Sequence, residues 1–154
     1  MFLACAALLN RGDRVVIERP GYEPFAACAR MAGAEIHRWE RRFGRGYGLD
    51  RDAFAAAVPD GTKLVMLTNL HNPSGAFLER EEVRTLAEIA GRKGAAVFVD
   101  EIYLDACEPA NRRTAFGAAG GISAGPIREP GRISPFCCRA WCATLPESRL
   151  PSSG

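Results

Sequence analysis

The sequence lacks the long apolar run that a membrane span or a secretion signal requires. Its opening apolar run, FLACAALL, extends from Phe2 to Leu9 and has no basic region before it. This run is too short to cross a bilayer, and it lacks the layout of a signal peptide. Apolar residues make up 47% of the chain and charged residues 25%, a composition typical of globular proteins. We therefore expect a soluble, cytoplasmic protein without a membrane partner.

The sequence also lacks the residue patterns of a metal site or a disulfide framework. The cluster Cys137, Cys138 and Cys142 has neither the paired Cys-x-x-Cys spacing nor the histidine partners of a zinc site. Cys5 and Cys28 stand among Ala and Leu on predicted helices, where a free thiol behaves as a small apolar side chain. We expect reduced cysteines and no bound metal.

A strong charge of either sign is absent as well. The net charge is +2, with −1 on the first 107 residues and +3 on the remaining 47. The arginines of this basic tail are not regularly interleaved with aromatic side chains, as they are in proteins that bind single-stranded nucleic acid. We expect no nucleic-acid partner.

What the first 107 residues do contain is an alternation of helical periodicity with short apolar runs rich in β-branched residues. Strands are predicted at residues 14–18, 35–39, 63–68 and 95–99, and helices at residues 2–9, 22–31, 50–58 and 79–93. Such alternation is typical of a parallel sheet flanked by helices. We therefore predict an α/β fold with a partial, mostly parallel sheet over residues 1–107.

The remaining residues, 108–154, lose this pattern. They contain no Asp and no Lys, and Gly, Ala, Pro, Ser and Arg dominate them. A segment of this composition has little apolar surface to offset the entropy of ordering it, so we predict a poorly ordered tail. Its composition resembles an out-of-frame reading of a GC-rich gene. The run GAAGGISAG at 117–125 follows no predicted strand and opens no helix, which argues against a nucleotide-binding phosphate loop.

Two polar motifs follow neighbouring predicted strands. The strand at 63–68 leads into TNLHNPSG, residues 68–75, and the strand at 95–99 leads into DEIYLDA, residues 100–106. Open α/β sheets bind their ligands at the carboxyl ends of parallel strands, so both motifs are placed for binding. Taken singly, each has a simpler interpretation: Asn-Pro-Ser-Gly forms turns, and Asp100 could cap the segment that follows it.

The two motifs in this order, separated by one amphipathic helix and one strand, resemble the large domain of class I/II aminotransferases. In that family a strand ends in Asn-Pro-(Ser/Thr)-Gly, which here begins at Asn72. The next strand ends in an Asp followed three residues later by a Tyr, here Asp100 and Tyr103. The segment GDRVVIERPGYEPF, residues 12–25, is similar to the family's strand and turn, with Tyr22 just past Pro-Gly. The resemblance covers residues 1 to about 107.

The resemblance implies pyridoxal phosphate as cofactor, and amino acids and 2-oxo acids as substrates. Asp100 would pair with the protonated ring nitrogen, Asn72 and Tyr103 would donate hydrogen bonds to the phenolic oxygen, and Tyr22 would stack on the ring. Both tyrosines could instead be core aromatics whose hydroxyls reach the surface. His71 is expected to be an exposed turn residue, with contact to cofactor or substrate as the alternative.

Three parts of the family's site are missing from this sequence. No Gly/Ser/Ala-rich phosphate-binding turn precedes Phe2, the small C-terminal domain is absent, and no lysine follows Asp100. The lysine matters most, because in the family it binds the cofactor covalently and then moves a proton. Lys63 and Lys93 are the only lysines, at a predicted strand start and a helix end. We therefore expect a truncated, inactive chain without a catalytic residue, and cofactor binding on the order of millimolar.

A second hypothesis is a non-catalytic fragment that pairs with a complete paralogue, because the family's dimers build each active site at a subunit interface. A family-type homodimer of the fragment itself stays open and is the less favoured assembly.

Overall fold

The computed structural model describes residues 1–103 and the strand at residues 140–142. The helices are α1 (Phe2–Leu8), α2 (Glu23–Met31), α3 (Arg51–Ala57) and α4 (Arg80–Arg92), with a short 3-10 helix at Phe43–Arg45. The strands are β1 (Arg14–Arg19), β2 (Glu35–Glu40), β3 (Thr62–Thr68), β4 (Ala96–Asp100) and β5 (Ala140–Cys142). The four helices and four strands predicted within residues 1–107 are confirmed, each end to within one residue.

The strands form one sheet in the order β2-β1-β3-β4-β5. Strands β1 to β4 run parallel, as predicted, and β5 pairs antiparallel with β4. No strand was predicted at β5, which lies in the segment that composition set apart as a tail. Its other residues, with the run at 117–125 and the cysteines of the tail other than Cys142, lie outside the described part of the chain.

In the strand order, β2 lies next to β1 toward one edge of the sheet, and β4 lies next to β3 toward the opposite edge. The strand order therefore changes direction between β1 and β3. In open α/β sheets a crevice forms at such a point, outside the carboxyl ends of the strands, and ligands bind there. This topology selects the β1/β3 carboxyl edge as the place to look for a site.

Each face of the sheet packs against its own pair of helices, since alternate strand residues point to opposite faces. One core joins α1 and α2 to the sheet and includes Val15, Ile17, Phe25, Leu64, Met66 and Phe98. The other joins α3 and α4 and includes Val16, Trp39, Phe54, Val65, Leu67, Leu86, Val97 and Val99. Burial of apolar side chains on both faces explains why the strands read as nearly continuous apolar runs.

Helix α4 shows how local sequence sets an element's limits. Glu79 and Glu82 form a reciprocal capping box at its start. Its apolar residues recur on one face, where Leu86 is fully buried. Gly94, with a φ of 78°, follows the helix in the left-handed conformation that glycine adopts at little cost.

Within the described residues, no helix combines the length and the apolar character needed to cross a bilayer. The longest of them, α4, has 13 residues.

Replacement of Leu86 by Ala should destabilise the fold by about 2–5 kcal/mol, because it removes buried methyl groups and leaves a cavity between α4 and the sheet. Leu3→Ala is the matched control, since 79% of Leu3 is exposed on α1, and it should change stability by less than about 0.5 kcal/mol. Urea unfolding followed by circular dichroism measures both. Equal stability of the two variants would contradict the packing of α4 described above.

Candidate functional site

The carboxyl edge of the sheet collects all four residues that the sequence singled out. Tyr22 follows β1 and stands at the N-cap of α2, and Asn72 lies in the loop that follows β3. Asp100 is the last residue of β4, and Tyr103 lies in the turn after it. Parallel pairing places the ends of these strands side by side, so the four residues share one edge.

Asp100 lies beside the end of β3, where it is the register partner of Thr68. Only 7% of the residue is exposed. One carboxylate oxygen accepts a hydrogen bond from the Ile102 backbone N–H at 3.1 Å. The simpler interpretation of Asp100, a cap on the next segment, therefore holds for this oxygen, although no helix follows within the described residues.

Burial raises the pKa of the Asp100 carboxyl above its usual range. The Ile102 hydrogen bond and the charge of the N-terminal amine act in the opposite direction and are weaker. Met1 packs against the core that contains Phe98, so the start of α1 lies on the same side of the sheet as Asp100. No Lys or Arg side chain of the described residues forms an ion pair with Asp100, so its negative charge is poorly compensated.

Tyr22 lies on the same face of the sheet as Asp100. Its ring packs edge-to-face on Phe25 at 5.6 Å, and Phe25 packs in the same way on Phe98 at 5.8 Å. Phe98 precedes Asp100 by two residues on β4, so their side chains point to the same face. A partly exposed aromatic ring and a buried carboxylate therefore share one face of the sheet at its carboxyl edge.

The two tyrosines are open to solvent. Tyr22 is 37% exposed and Tyr103 is 47% exposed. Neither tyrosine is fully buried, because the edge of the sheet leaves both residues accessible. An accessible tyrosine can offer a ring face or a hydroxyl to a ligand.

Asn72 is held in a tight turn that folds back onto β3. The Gly75 N–H donates to the His71 carbonyl at 2.7 Å, and the Asn72 N–H donates to the Thr68 hydroxyl at 2.8 Å. Thr68 is the register partner of Asp100, so these contacts tie the backbone of Asn72 to the neighbouring strand end. Asn72 is itself half-buried.

A buried ion pair, not foreseen from the sequence, lies at the β1/β3 crevice. Glu18 is fully buried; its Oε1 accepts hydrogen bonds from the Thr68 N–H at 2.7 Å and the Thr68 hydroxyl at 2.8 Å. Its Oε2 accepts from Nη1 of Arg41 at 2.8 Å. Burial raises the pKa of Glu18, and the Arg41 charge and these hydrogen bonds oppose that effect. A charged residue ending a buried apolar strand was the signal in the sequence that could have revealed it.

His71 is 1% exposed, so the prediction of an exposed turn histidine is wrong. Its Nε2 lies 2.8 Å from the Pro20 carbonyl, which can only accept, so Nε2 carries the proton. Its Nδ1 then accepts from the Ser74 hydroxyl at 2.6 Å. Burial lowers the pKa of His71, as does the nearby Arg41, which keeps the ring neutral. The ring of Tyr47, 5.4 Å away, lies over it, and that long-range contact could not be foreseen from the turn motif.

Asn69 closes the base of the loop that carries Asn72. Its side-chain oxygen accepts from the Leu78 N–H at 3.0 Å, and its side-chain amide donates to the Leu78 carbonyl at 3.2 Å. Its backbone N–H donates to the Asp100 carbonyl at 2.9 Å. One buried amide therefore joins both ends of the loop at residues 69–78 and binds them to β4.

Both lysines lie at the other edge of the sheet, as the sequence indicated. Lys63 stands near the start of β3, and Lys93 is the C-cap of α4, where its Nζ lies 2.6 Å from Asp60. Thr68 stands five positions after Lys63 on β3, which corresponds to roughly 16 Å. Neither amine is placed near Asp100.

The chain matches known proteins over most of its length. The family model described as aminotransferase class I and II matches residues 1–125. The aspartate aminotransferase of Musicola paradisiaca is 35% identical over 103 residues, which cover 67% of this chain and 26% of that protein. The probable N-succinyldiaminopimelate aminotransferase of Mycobacterium tuberculosis is 30% identical over 141 residues, 90% of this chain and 35% of that protein. A Thermus thermophilus aspartate aminotransferase mutant superposes with a TM-score of 0.63 and 27% identity, over 66% of this chain and 26% of that one.

The chain thus spans about a quarter to a third of the length of these curated relatives. The family match runs past residue 107, into the segment that composition set apart as a tail. The division of the chain at residue 107 stays a prediction.

Asp100→Asn should make the fold more stable near neutral pH. Burial raises the folded-state pKa of Asp100 above the unfolded value of 3.8, so protonation stabilises the fold below that pH. This stabilisation is lost as the pH rises through the folded-state pKa. Asparagine stays neutral and can still accept from the Ile102 N–H. Urea unfolding should show an advantage of the variant at about pH 7 that shrinks toward about pH 4.

Asp60→Asn is the matched control. The hydrogen bond from Lys93 lowers the pKa of the exposed Asp60, so its charge stabilises the fold above the unfolded pKa and stops doing so on acidification. This variant should be equal to the unchanged chain or slightly less stable near neutral pH. If Asp100→Asn behaved in the same way, the Asp100 carboxylate would not carry the desolvation cost described here.

Proposed function

Because the chain belongs to the class I and II aminotransferase family, we propose that its carboxyl-edge site binds the ring of pyridoxal phosphate. The proposal rests on one observation above all, the poorly compensated Asp100 carboxylate on the same face of the sheet as the accessible ring of Tyr22. The family uses pyridoxal phosphate, and its members act on amino acids and 2-oxo acids. Transfer of an amino group between such substrates is the activity that we propose this domain serves in a longer enzyme.

The described residues fit the cofactor's ring. The buried Asp100 carboxylate lacks a cationic side-chain partner among them, and a protonated ring nitrogen would supply one. A charge-assisted hydrogen bond of this kind contributes about 1.5–3 kcal/mol. The accessible ring of Tyr22 can cover one face of a planar ligand. For Asp100 and Tyr22 the fit is one of opposite charge and of an accessible ring face.

Each residue has a separate task in this proposal. Asp100 holds the proton on the ring nitrogen, because a nearby carboxylate favours the charged form. Asn72 and Tyr103 donate hydrogen bonds to the phenolic oxygen, and Tyr22 stacks on the ring. When bound, pyridoxal phosphate supplies the electron sink that the family's reactions require.

We further propose that this 154-residue polypeptide does not catalyse transamination by itself. The reaction needs a lysine amine at the ring, which binds the cofactor and later moves a proton. Lys63 and Lys93, the only lysines of the sequence, lie at the opposite edge of the sheet. No residue of this chain is therefore assigned a catalytic role.

A second candidate is a non-catalytic subunit that pairs with a complete aminotransferase. Exposed apolar side chains on α1 favour it, since Phe2 is 53% exposed and Leu3 is 79% exposed. Light scattering of the chain alone and mixed with such an enzyme would separate the candidates, because only the second predicts a mixed complex. The free thiols of Cys5 and Cys28 support a reducing compartment such as the cytoplasm for either candidate.

The chain should bind pyridoxine 5′-phosphate, which has the cofactor's ring but no aldehyde, with a dissociation constant on the order of millimolar. Asp100→Asn should weaken this binding about tenfold, because it removes the charge that pairs with the ring nitrogen. Asp60→Asn, an equivalent change at the far edge, should leave the constant unchanged. Ligand-detected NMR measures all three. Equal affinity of both variants would argue against Asp100 as the partner of the ring nitrogen.

With pyridoxal phosphate, an amino acid and a 2-oxo acid, the chain should form no transamination product above the rate of free cofactor. The variant with Lys63→Arg and Lys93→Arg should bind pyridoxine 5′-phosphate as the unchanged chain does, since neither lysine reaches the ring. Product assays and absorbance titration provide the measurements. A saturable cofactor absorbance band that this double variant abolishes would overturn the proposed inactivity.

A further inference from the structure

The buried ion pair between Glu18 and Arg41 has no place in the ring contacts proposed above. Both side chains are fully buried, with their nearest charged atoms 2.8 Å apart. Burial of two charges costs desolvation, and an apolar pair of similar size is often at least as stable. This pair therefore calls for an explanation other than stability.

Glu18 is linked to the Asn72 turn by hydrogen bonds through the Thr68 hydroxyl, and its Oε2 also lies 3.9 Å from Nε2 of His71. The Thr68 hydroxyl donates to Oε1 of Glu18 at 2.8 Å and accepts from the Asn72 N–H at 2.8 Å. A hydroxyl has one proton, so its bond to Glu18 sets the direction of its lone pairs. With the proton committed to Glu18, the lone pairs are available to the Asn72 N–H.

Arg41 completes the arrangement from the other side. Its Nη1 occupies the second oxygen of Glu18, and its Nε donates to the Tyr47 carbonyl at 2.6 Å. The ring of Tyr47 lies over His71, the residue before Asn72. His71 is bonded in turn to the Pro20 carbonyl, just past β1. The turn is thus held from β1, from the loop after β2 and from β3.

We infer that Glu18 is a positioning residue, which fixes the turn that carries Asn72 through the Thr68 hydroxyl, with Arg41 holding its second oxygen. The inference deepens the proposed function. It rests on that function in one respect, namely that Asn72 contacts the ring of pyridoxal phosphate. Glu18 itself touches no cofactor or substrate in this scheme. Its effect is to present the Asn72 amide in one orientation at the edge of the sheet.

Hydrogen exchange of the full chain, read residue by residue by NMR, tests the positioning directly. Thr68→Val removes the hydroxyl at nearly constant volume and should speed exchange of the Asn72 amide about tenfold. Thr68→Ser keeps the hydroxyl and should stay within about twofold of the unchanged chain. Thr62→Val is the matched control, because Thr62 is buried at the opposite end of β3 and donates to the Pro59 carbonyl. It should leave the Asn72 amide unchanged.

Glu18→Gln tests the proposed origin of the effect. The variant has one side-chain oxygen, so it cannot accept from Thr68 and Arg41 through two oxygens at once, and the Asn72 amide should again exchange about tenfold faster. Glu40→Gln, at an exposed ion pair with Arg19, is its control and should have no effect there. If Glu18→Gln also lost protection throughout α4 and β4, the comparison of Thr68→Val with Thr68→Ser would decide.

The inference would be overturned if the Asn72 amide exchanged in Glu18→Gln as slowly as in the unchanged chain. It would also be overturned if that amide exchanged equally fast in Thr68→Val and Thr62→Val, or if Thr68→Ser were as impaired as Thr68→Val. A parallel titration with pyridoxine 5′-phosphate follows the side-chain amide signals of Asn72. These should shift in the unchanged chain and in Thr68→Ser, and about threefold to tenfold more ligand should be needed in Thr68→Val. An unchanged chain whose signals never shift would count against the proposed function, while the exchange data would still decide on the positioning.

Discussion

In-register parallel pairing of β3 with β4 sets Thr68 beside Asp100, and the rest of the site depends on this alignment. The Asn72 turn is bonded to Thr68, and the Asn69 backbone is bonded to Asp100. A shift of one residue between the strands would turn every side chain of one strand to the opposite face. The cores on both faces exclude that shift, because Leu67 and Val99 belong to one core and Met66 and Phe98 to the other. Apolar packing therefore fixes the position of polar groups that contribute little to it.

Several buried polar groups lie at the carboxyl edge, and the desolvation of each, without its partners, would destabilise the fold. Asp100 and Glu18 are carboxyls whose pKa burial raises, and His71 is an imidazole whose pKa burial lowers. Glu18 and His71 are satisfied by partners within the protein, whereas the charge of Asp100 is not paired with any described Lys or Arg side chain. Glu18 and His71 therefore serve the structure of the edge, whereas a cationic ligand could neutralise the charge of Asp100. Perturbed titratable groups gathered in one place are typical of functional sites.

Local sequence was sufficient for the secondary structure and for part of the site. Helix α4 was evident from its apolar periodicity, and β3 from an unbroken apolar run. Asp100 and Asn72 could be named because each lies in a polar motif at a strand end, and the two motifs in this order resemble the family. Glu18 and Arg41 were missed, since 23 residues separate them and each resembles an ordinary surface charge. The burial of His71 was missed for the same reason, because Tyr47 covers it from another loop.

By itself, the sequence determined the alternation of helices and strands, the polar motifs at the strand ends and the supply of only two lysines. These properties are local, set by side-chain periodicity, by turn residues and by composition. Only the tertiary structure decided that Asp100 would be buried without a cationic side-chain partner and that Glu18 would bind Thr68 and Arg41. Burial and charge pairing depend on which distant segments come together. Residues 18, 41 and 68 come into contact only because β1 lies between β2 and β3 in the parallel sheet.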